Sequence, residues 1–363
     1  MNYSKNYIHN SFQLNGNSFS NSVELLNYAS KISKDVFLFL EEWFSDSNSV
    51  IIQTSGSTGK PKNIELQKER MFNSATATGN YFNLKAETTA LLCLPASYVA
   101  GKMMLIRALT LGWSLDIVTP NSNPLENVSK IYDFSAMVPL QVENSINYLD
   151  KIRKLIVGGG VVSNPLLVKL QNVSTDVFAT YGMTETITHI AVKKLNNFST
   201  LKTNFNKSNF YKTMPNVTIY VDERNCLVIN AVKVSEKVLF TNDVVRLISD
   251  TQFEWLGRFD NVINSGGVKL QPEVIESKLV KVLQKPFFVA GISDDLLGSK
   301  LILIIEDTDD NTSEKKEGII NKIKSLNLFT KFEIPKEIYF IPEFMYTESS
   351  KIQRNKTLNL LKF

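Results

Sequence analysis

Cysteine and histidine are almost missing from this chain. Cys93 and Cys226, with His9 and His189, are the only ones in 363 residues. A disulfide-stapled scaffold and a Cys/His zinc module are excluded, and so sparse a cysteine usage fits a reducing compartment. Any Ser-His-Asp scheme would have to draw on His9 or His189. No apolar run reaches the roughly 18 residues of a membrane span. The Asn/Ser-rich start, MNYSKNYIHNSFQLNGNSFSNS, lacks the apolar core of a secretion signal. One-signed charge is also scarce. Lys and Arg number 40 against 36 Asp and Glu, leaving +4 spread along the chain without a nucleic-acid footprint. The expectation is a cytoplasmic protein with no nucleic-acid partner and no stable membrane insertion; the pattern fixes no oligomeric state.

What is present is ordinary globular material, 43% hydrophobic and 21% charged, at a length that suggests about two domains. Residues 23–45 carry apolar positions at helical spacing and predict one amphipathic helix. Short apolar strands at 91–94, 115–119, 136–138, 155–157 and 177–179 alternate with helical stretches at 99–110, 140–149 and 165–171. That alternation predicts an α/β fold with a largely parallel sheet. From about 211 the pattern turns to short strands at 217–221, 226–229, 238–240 and 244–248. Beyond Gly257 it becomes helix 272–284, strands 287–292 and 300–306, helix 313–325 and strand 337–341. The expected division is a large domain over 1–259, with parallel sheet, helices and a β-rich part, and a small mobile α+β domain over 260–363.

The strongest local signal is Thr54-Ser55-Gly56-Ser57-Thr58-Gly59-Lys60-Pro61-Lys62, between a strand and a helical stretch. Glycines let the backbone bring its N–H groups against an anion, and hydroxyls and lysines add donors and charge. This is the chemistry of a polyphosphate cradle. It is not a Walker A loop, because Thr54 stands where the first glycine belongs and Pro61 follows Lys60. The dinucleotide fingerprint fails too, since Ser163 takes the place of the third glycine after Gly158 and Gly160. No G-x-S-x-G hydrolase elbow is present.

The loop resembles the phosphate loop of the adenylate-forming acyl-CoA synthetases, and further segments agree in order. Tyr181-Gly182-Met183-Thr184-Glu185 is similar to the family's Y-G-x-T-E. The resemblance implies a ring face for adenine at Tyr181, a phosphate contact at Thr184 and a magnesium ligand at Glu185. Gly159 and Gly160 fall in a glycine stretch resembling the one that lines the adenine and acyl pocket. Asn242-Asp243 stands for the family's Gly-Asp, with Asp243 on the ribose hydroxyls. Gly257-Arg258-Phe259-Asp260 resembles the hinge segment, Arg258 facing ribose and phosphate and Asp260 acting as hinge. In Ser265-Gly266-Gly267-Val268-Lys269 the resemblance implies that Gly266 and Gly267 let the pantetheine arm pass. Ser350-Lys351-Ile352-Gln353-Arg354 is similar to S-G-K-[IV]-x-R, making Lys351 the adenylation lysine.

The implied activity is a two-step acid–thiol ligation using ATP, Mg²⁺ and coenzyme A on a small carboxylic acid, through an acyl-adenylate. On this basis Lys351→Ala loses adenylation but keeps thioester formation from a supplied acyl-adenylate; equal loss of both would contradict the assignment. The phosphate loop starts at residue 54, earlier than in most of the family, so the N-terminal region reads as abbreviated. The segment Leu94-Pro95-Ala96-Ser97-Tyr98-Val99-Ala100-Gly101 resembles the L-P-x-x-H-x-x-G stretch before the acyl pocket, with Tyr98 in the His place and Ala100 where Ser is frequent. Arg107 stands where one subgroup, the o-succinylbenzoate–CoA ligases of menaquinone biosynthesis, sets an arginine against the substrate's second carboxylate. Tyr98, Ala100, Gly101 and Arg107 are thus the candidate acid-binding residues. The alternatives are another small aryl- or acyl-CoA ligase, an adenylation enzyme that loads a carrier protein, and a non-catalytic nucleotide sensor, which intact Glu185 and Lys351 disfavour.

Overall fold

A computed structural model describes residues 7–54, 62–197, 210–308, 312–346 and 352–361. Its contacts divide the chain into two compact units: Met1–Tyr220, Val228–Phe240 and Leu247–Glu254 form one, and Val221–Leu227, Thr241–Arg246 and Trp255–Phe363 the other.

The first unit opens with the short pair β1 (Gln13–Leu14) and β2 (Asn17–Ser18). Where one helix is expected over 23–45, two form: α1 (Ser22–Ile32) and α2 (Lys34–Phe44). Ser33 makes the break. Its backbone is extended at φ −159°, and its hydroxyl accepts the Val36 N–H, so one serine ends a helix and caps the next. The antiparallel pair β3 (Ser49–Thr54) and β4 (Lys62–Gln67) leads into α3 (Lys68–Phe82).

The α/β alternation follows as expected: β5 (Thr89–Leu92), α4 (Val99–Leu111), β6 (Ser114–Ile117), β7 (Tyr132–Met137), α5 (Pro139–Asn144), β8 (Ile152–Val157), α6 (Asn164–Leu170) and β9 (Asp176–Gly182). β6, β5, β7, β8 and β9 lie side by side and parallel. Their inner residues, among them Leu91, Met137, Leu155, Val157 and Val177, join one buried cluster with Leu166 and Leu170 of α6. Such apolar runs are what a sheet covered by helices requires. β10 (His189–Lys194) and β11 (Tyr211–Thr213) then continue antiparallel beyond β9.

β12 (Thr218–Val221), β13 (Cys226–Asn230), β14 (Leu239–Ser249) and β15 (Gln252–Arg258) contribute residues to both units. The two strands expected at 238–240 and 244–248 are one, β14. Its polar middle stays extended because Asn242 and Asp243 are held sideways, by Arg224 and Trp255.

In the second unit, β16 (Ile263–Ser265) and β17 (Val268–Leu270) form a hairpin through Gly266 and Gly267, at φ +58° and +79°. Two positive φ values make this a type I′ connection, which suits glycine. α7 (Pro272–Leu279) follows, then β18 (Phe287–Asp294), β19 (Gly298–Glu306), α8 (Ser313–Ser325), β20 (Glu337–Ile341) and α9 (Arg354–Leu358). β18 and β20 flank β19, antiparallel and parallel. Alternation along β19 sends Leu301, Leu303 and Ile305 toward Ile275, Leu279 and Ile323, and Ile302 and Ile304 toward Phe344. Among the described residues no helix is long and apolar enough to cross a membrane.

Candidate active site

Three candidate segments leave the carboxyl ends of strands in the same parallel sheet. Pro95–Gly101 follows β5, Gly158–Gly160 follows β8, and Tyr181–Glu185 ends β9. In open α/β sheets the crevice outside the carboxyl ends is where ligands bind. Gly158 N donates to Met137 O at the end of β7 (3.1 Å), and Thr180 Oγ1 to Val157 O (3.1 Å), so these strand ends are tied together. Gly159 and Gly160 are exposed at this edge, Gly159 at φ +77°. The phosphate-loop residues Ser55, Gly56, Ser57, Thr58 and Gly59 lie outside the described residues, while Thr54 and Lys62 close the β3–β4 pair opposite each other.

The turn after Tyr181 is tightly determined. A Cβ on Gly182 would sit 2.1 Å from Thr188 O, so no other residue fits there without displacing backbone. Thr184–Thr186 form one 3₁₀ turn, locked by the fully buried Thr186, whose hydroxyl accepts from Met183 N (3.0 Å) and lies 2.7 Å from Thr188 O. Ile187 then adopts φ +67° and ψ −64°, a costly conformation for a β-branched residue. The strained turn presents Thr184 half-buried and Glu185 exposed, and Glu185 has no hydrogen bond or ion pair among the described residues. Such a free carboxylate fits Mg²⁺, which takes one or two carboxylates and shares the rest of its shell with phosphates and water. Among the described residues no group of three or more His, Cys, Asp or Glu side chains comes together as a metal site. Tyr181 packs edge-on against Phe253 (5.1 Å) and beside Tyr211 (5.8 Å), which fixes its ring.

Arg107 lies in α4, whose residues from Gly101 to Thr110 are all buried. The helix starts against Pro95, where a Cβ on Gly101 would fall 2.2 Å from the Pro95 carbonyl oxygen. Tyr98 just before the helix and Ala100 on its first turn are exposed, and Arg107 is only 2% exposed. Among the described residues the guanidinium donates to hydroxyls only: Nε to Thr78 Oγ1 (3.3 Å) and an Nη to Thr188 Oγ1 (3.4 Å). It forms no ion pair with a carboxylate among the described residues. Burial pulls its pKa down to about 10, and burial together with Arg107's charge pulls that of neighbouring His189 down to about 3. A buried cation without a counter-ion is costly unless a ligand supplies one.

The second unit brings Asp243, Arg258 and Asp260 together. Asp243 is 8% exposed and accepts from Trp255 Nε1 (3.1 Å), with Arg258 3.9 Å away. Arg258 pairs with Asp260 (3.0 Å), which also accepts from Asn242. Arg224 braces this turn from Asp222 to Asn242 Oδ1 and Thr241 O. Gly266 and Gly267 are exposed at their hairpin tip. Lys351 lies outside the described residues. After it, Ile352 bridges Tyr346 and Arg354 makes a two-armed ion pair with Glu276. Motif reading missed Trp255, Arg224, Thr186 and Ile187, which support the motif residues from outside the motif letters. It also missed Thr78, Thr188 and His189; rarity was the one signal for His189.

Comparison with known proteins bears on the same elements. The AMP-binding enzyme family matches residues 28–231. The chain belongs to the AMP-binding enzyme family. An acyl-CoA synthetase (AMP-forming)/AMP-acid ligase II-like protein from Dyadobacter fermentans is 35% identical, with TM-score 0.58 over 90% of this chain and 94% of that one. An o-succinylbenzoate coenzyme A synthetase from Bacillus subtilis, solved with ATP and magnesium, shares the fold at TM-score 0.70 and 18% identity, covering 93% and 82% of the two chains. A 2-succinylbenzoate–CoA ligase from Geobacillus sp. (strain WCH70) is 24% identical over 89% of this chain and 71% of that protein. The family expected from the motifs and the α/β fold expected from the strand–helix alternation are thereby borne out.

Proposed function

We propose that this member of the family is a 2-succinylbenzoate–CoA ligase of menaquinone biosynthesis acting in the cytoplasm. The observation that carries the reading is Arg107, a buried guanidinium with no carboxylate partner among the described residues. Its open N–H groups suit one carboxylate of an aromatic dicarboxylate while the other reacts, and they disfavour a plain fatty acid. The relatives named for that reaction support the same substrate.

In the first half-reaction a carboxylate oxygen of the acid attacks the α-phosphorus of ATP and pyrophosphate departs. In the second, the thiol sulfur of coenzyme A attacks the acyl carbon and AMP departs. Both negative partners must approach, so the chain's task is electrostatic. Magnesium on Glu185 would neutralise phosphate charge. Lys351 would act alike on the carboxylate and α-phosphate; a lysine about 4 Å from developing charge is worth about 4 kcal/mol at an effective dielectric near 20. That is roughly a thousandfold in rate. Tyr181 offers its face to adenine, Asp243 its carboxylate to the ribose and Arg258 its fork nearby. Asp260 is the hinge for the residues that follow, and Gly266 and Gly267 give the pantetheine arm its passage.

The test is mass spectrometry of the protein incubated with Mg-ATP, coenzyme A and four acids: 2-succinylbenzoate, benzoate, a medium-chain fatty acid and acetate. A dominant 2-succinylbenzoyl-CoA product is expected. Preference for benzoate or the fatty acid overturns the dicarboxylate reading, and acyl-AMP without any CoA product would indicate carrier loading instead.

A further inference from the structure

His189 is a buried titratable side chain beside Arg107 that the chemistry above leaves unused. It opens β10, is 9% exposed, and points Nε2 at Thr78 Oγ1 across 3.5 Å. Thr78 is fully buried in α3 and is the hydroxyl that also receives Arg107 Nε. Its single proton is committed, because Oγ1 donates to Ser74 O one turn back (3.0 Å). An oxygen that has given away its proton can only accept from its other partners. Thr78 therefore takes Arg107 Nε–H on one lone pair and must take Nε2–H of His189 on the other. This fixes the imidazole as the Nε2–H tautomer. Ser74 Oγ and Thr188 Oγ1 are 3.1 Å apart, and Thr188 receives one Nη–H of Arg107. Of five guanidinium N–H groups, two are thus spent on hydroxyls, and the remaining three include the parallel pair that a carboxylate takes two-handed.

We propose that His189 is a positioning residue for Arg107: through the Thr78 hydroxyl it fixes the Nε edge of the guanidinium and so aims the opposite edge at the second carboxylate of the acid. The role rests on the dicarboxylate reading given above. It explains why a histidine sits beside a buried cation at all, where only its neutral form is tolerable: a neutral donor orients the hydroxyl without adding a second charge. The contacts of 3.3–3.5 Å are long, as polar contacts awaiting a ligand frequently are, and they tighten when the anion arrives.

The test compares kcat/KM for 2-succinylbenzoate with that for 4-oxo-4-phenylbutanoate, the same skeleton without the ring carboxylate. His189→Met keeps the volume and removes the donor; it is expected to cut the ratio about tenfold, through KM for the dicarboxylate more than through kcat. His189→Gln, which puts an amide N–H near the Nε2 position, is expected to recover most of the loss. Thr78→Val, which removes the hydroxyl bridge at constant shape, is expected to match His189→Met and carries the test should that variant not fold. A ratio unchanged in His189→Met or Thr78→Val, or equal losses in kcat for both acids, overturns the proposal. Arg107→Met separates the two readings. If it leaves the ratio intact, the dicarboxylate reading falls; if it collapses the ratio while the other variants keep it, only the role of His189 falls.

Discussion

Two arginines, one in each unit, one fully buried and one half-buried, meet opposite surroundings. Arg354 at the start of α9 presents both Nη atoms to Glu276, at 2.8 Å each, and Glu276 also accepts the Val289 N–H at 2.9 Å. Arg107 in α4 is more deeply buried and, among the described residues, finds hydroxyls alone. A fold that satisfies a guanidinium from within is using it as a brace. One that buries it and withholds the carboxylate leaves a receptor whose counter-ion arrives with the substrate. The pattern is the ordinary trade of stability for function at a binding site.

The largest effect that would sharpen this contrast is on stability. Glu276→Ala removes both arms of the half-buried Arg354 pair and leaves the Val289 N–H without its acceptor, and is expected to cost about 3 kcal/mol. Arg107→Met replaces an uncompensated cation with an apolar side chain of similar length and is expected to be neutral or to stabilise by about 1 kcal/mol or more. Urea unfolding followed by tryptophan fluorescence reads both. A loss in Arg107→Met as large as that in Glu276→Ala would show that hydroxyls alone satisfy Arg107, and the contrast would break.

Next in size is the effect on catalysis. Hydrogen bonds to a charged group are worth about 1.5–3 kcal/mol. Arg107→Met is thus expected to lower kcat/KM for 2-succinylbenzoate by roughly a hundredfold. Arg107→Lys should recover only part, because an ammonium lacks the planar fork. Steady-state rates of CoA-thioester formation decide it; full recovery by lysine would reduce the site to a point charge.

How much of this was legible beforehand follows from what each residue depends on. The parallel sheet was visible because its strands are near-continuous apolar runs, and the Tyr181–Glu185 and Asp243–Asp260 segments because their letters sit in contiguous order. Ser33 was not readable as a break, since a serine inside an apolar periodicity is common and only its extended backbone reveals the cap. Ile187 gave no sign of a positive φ, which the close approach of Gly182 to Thr188 imposes from outside. Arg107 was visible as a position, but its burial depends on the whole of α4 being enclosed. Thr78, Thr188 and His189 come from α3 and the β9–β10 connection, and only tertiary structure assembles them around one guanidinium.

The smallest effect concerns pH, and it follows from the same pocket. Burial beside Arg107 holds the His189 pKa down to about 3, against an ordinary 6.5. The unfolded chain therefore binds a proton at this residue below pH 6.5 that the folded chain refuses. Above 6.5 both forms are neutral and nothing changes. Below it, folding stability falls by at most about 1.4 kcal/mol per pH unit, and the loss ceases to grow near the folded value. At pH 5.5 the expected deficit is about 1 kcal/mol relative to pH 7. His189→Gln removes the titrating group, so the difference between wild-type and variant stability, measured by urea unfolding at pH 7.0, 6.0 and 5.5, should shift in the variant's favour as pH drops. Parallel profiles for the two proteins would mean that the folded state admits the proton beside Arg107. The pocket would then be wet and charge-tolerant, and the contrast between the two arginines would lose its physical cause.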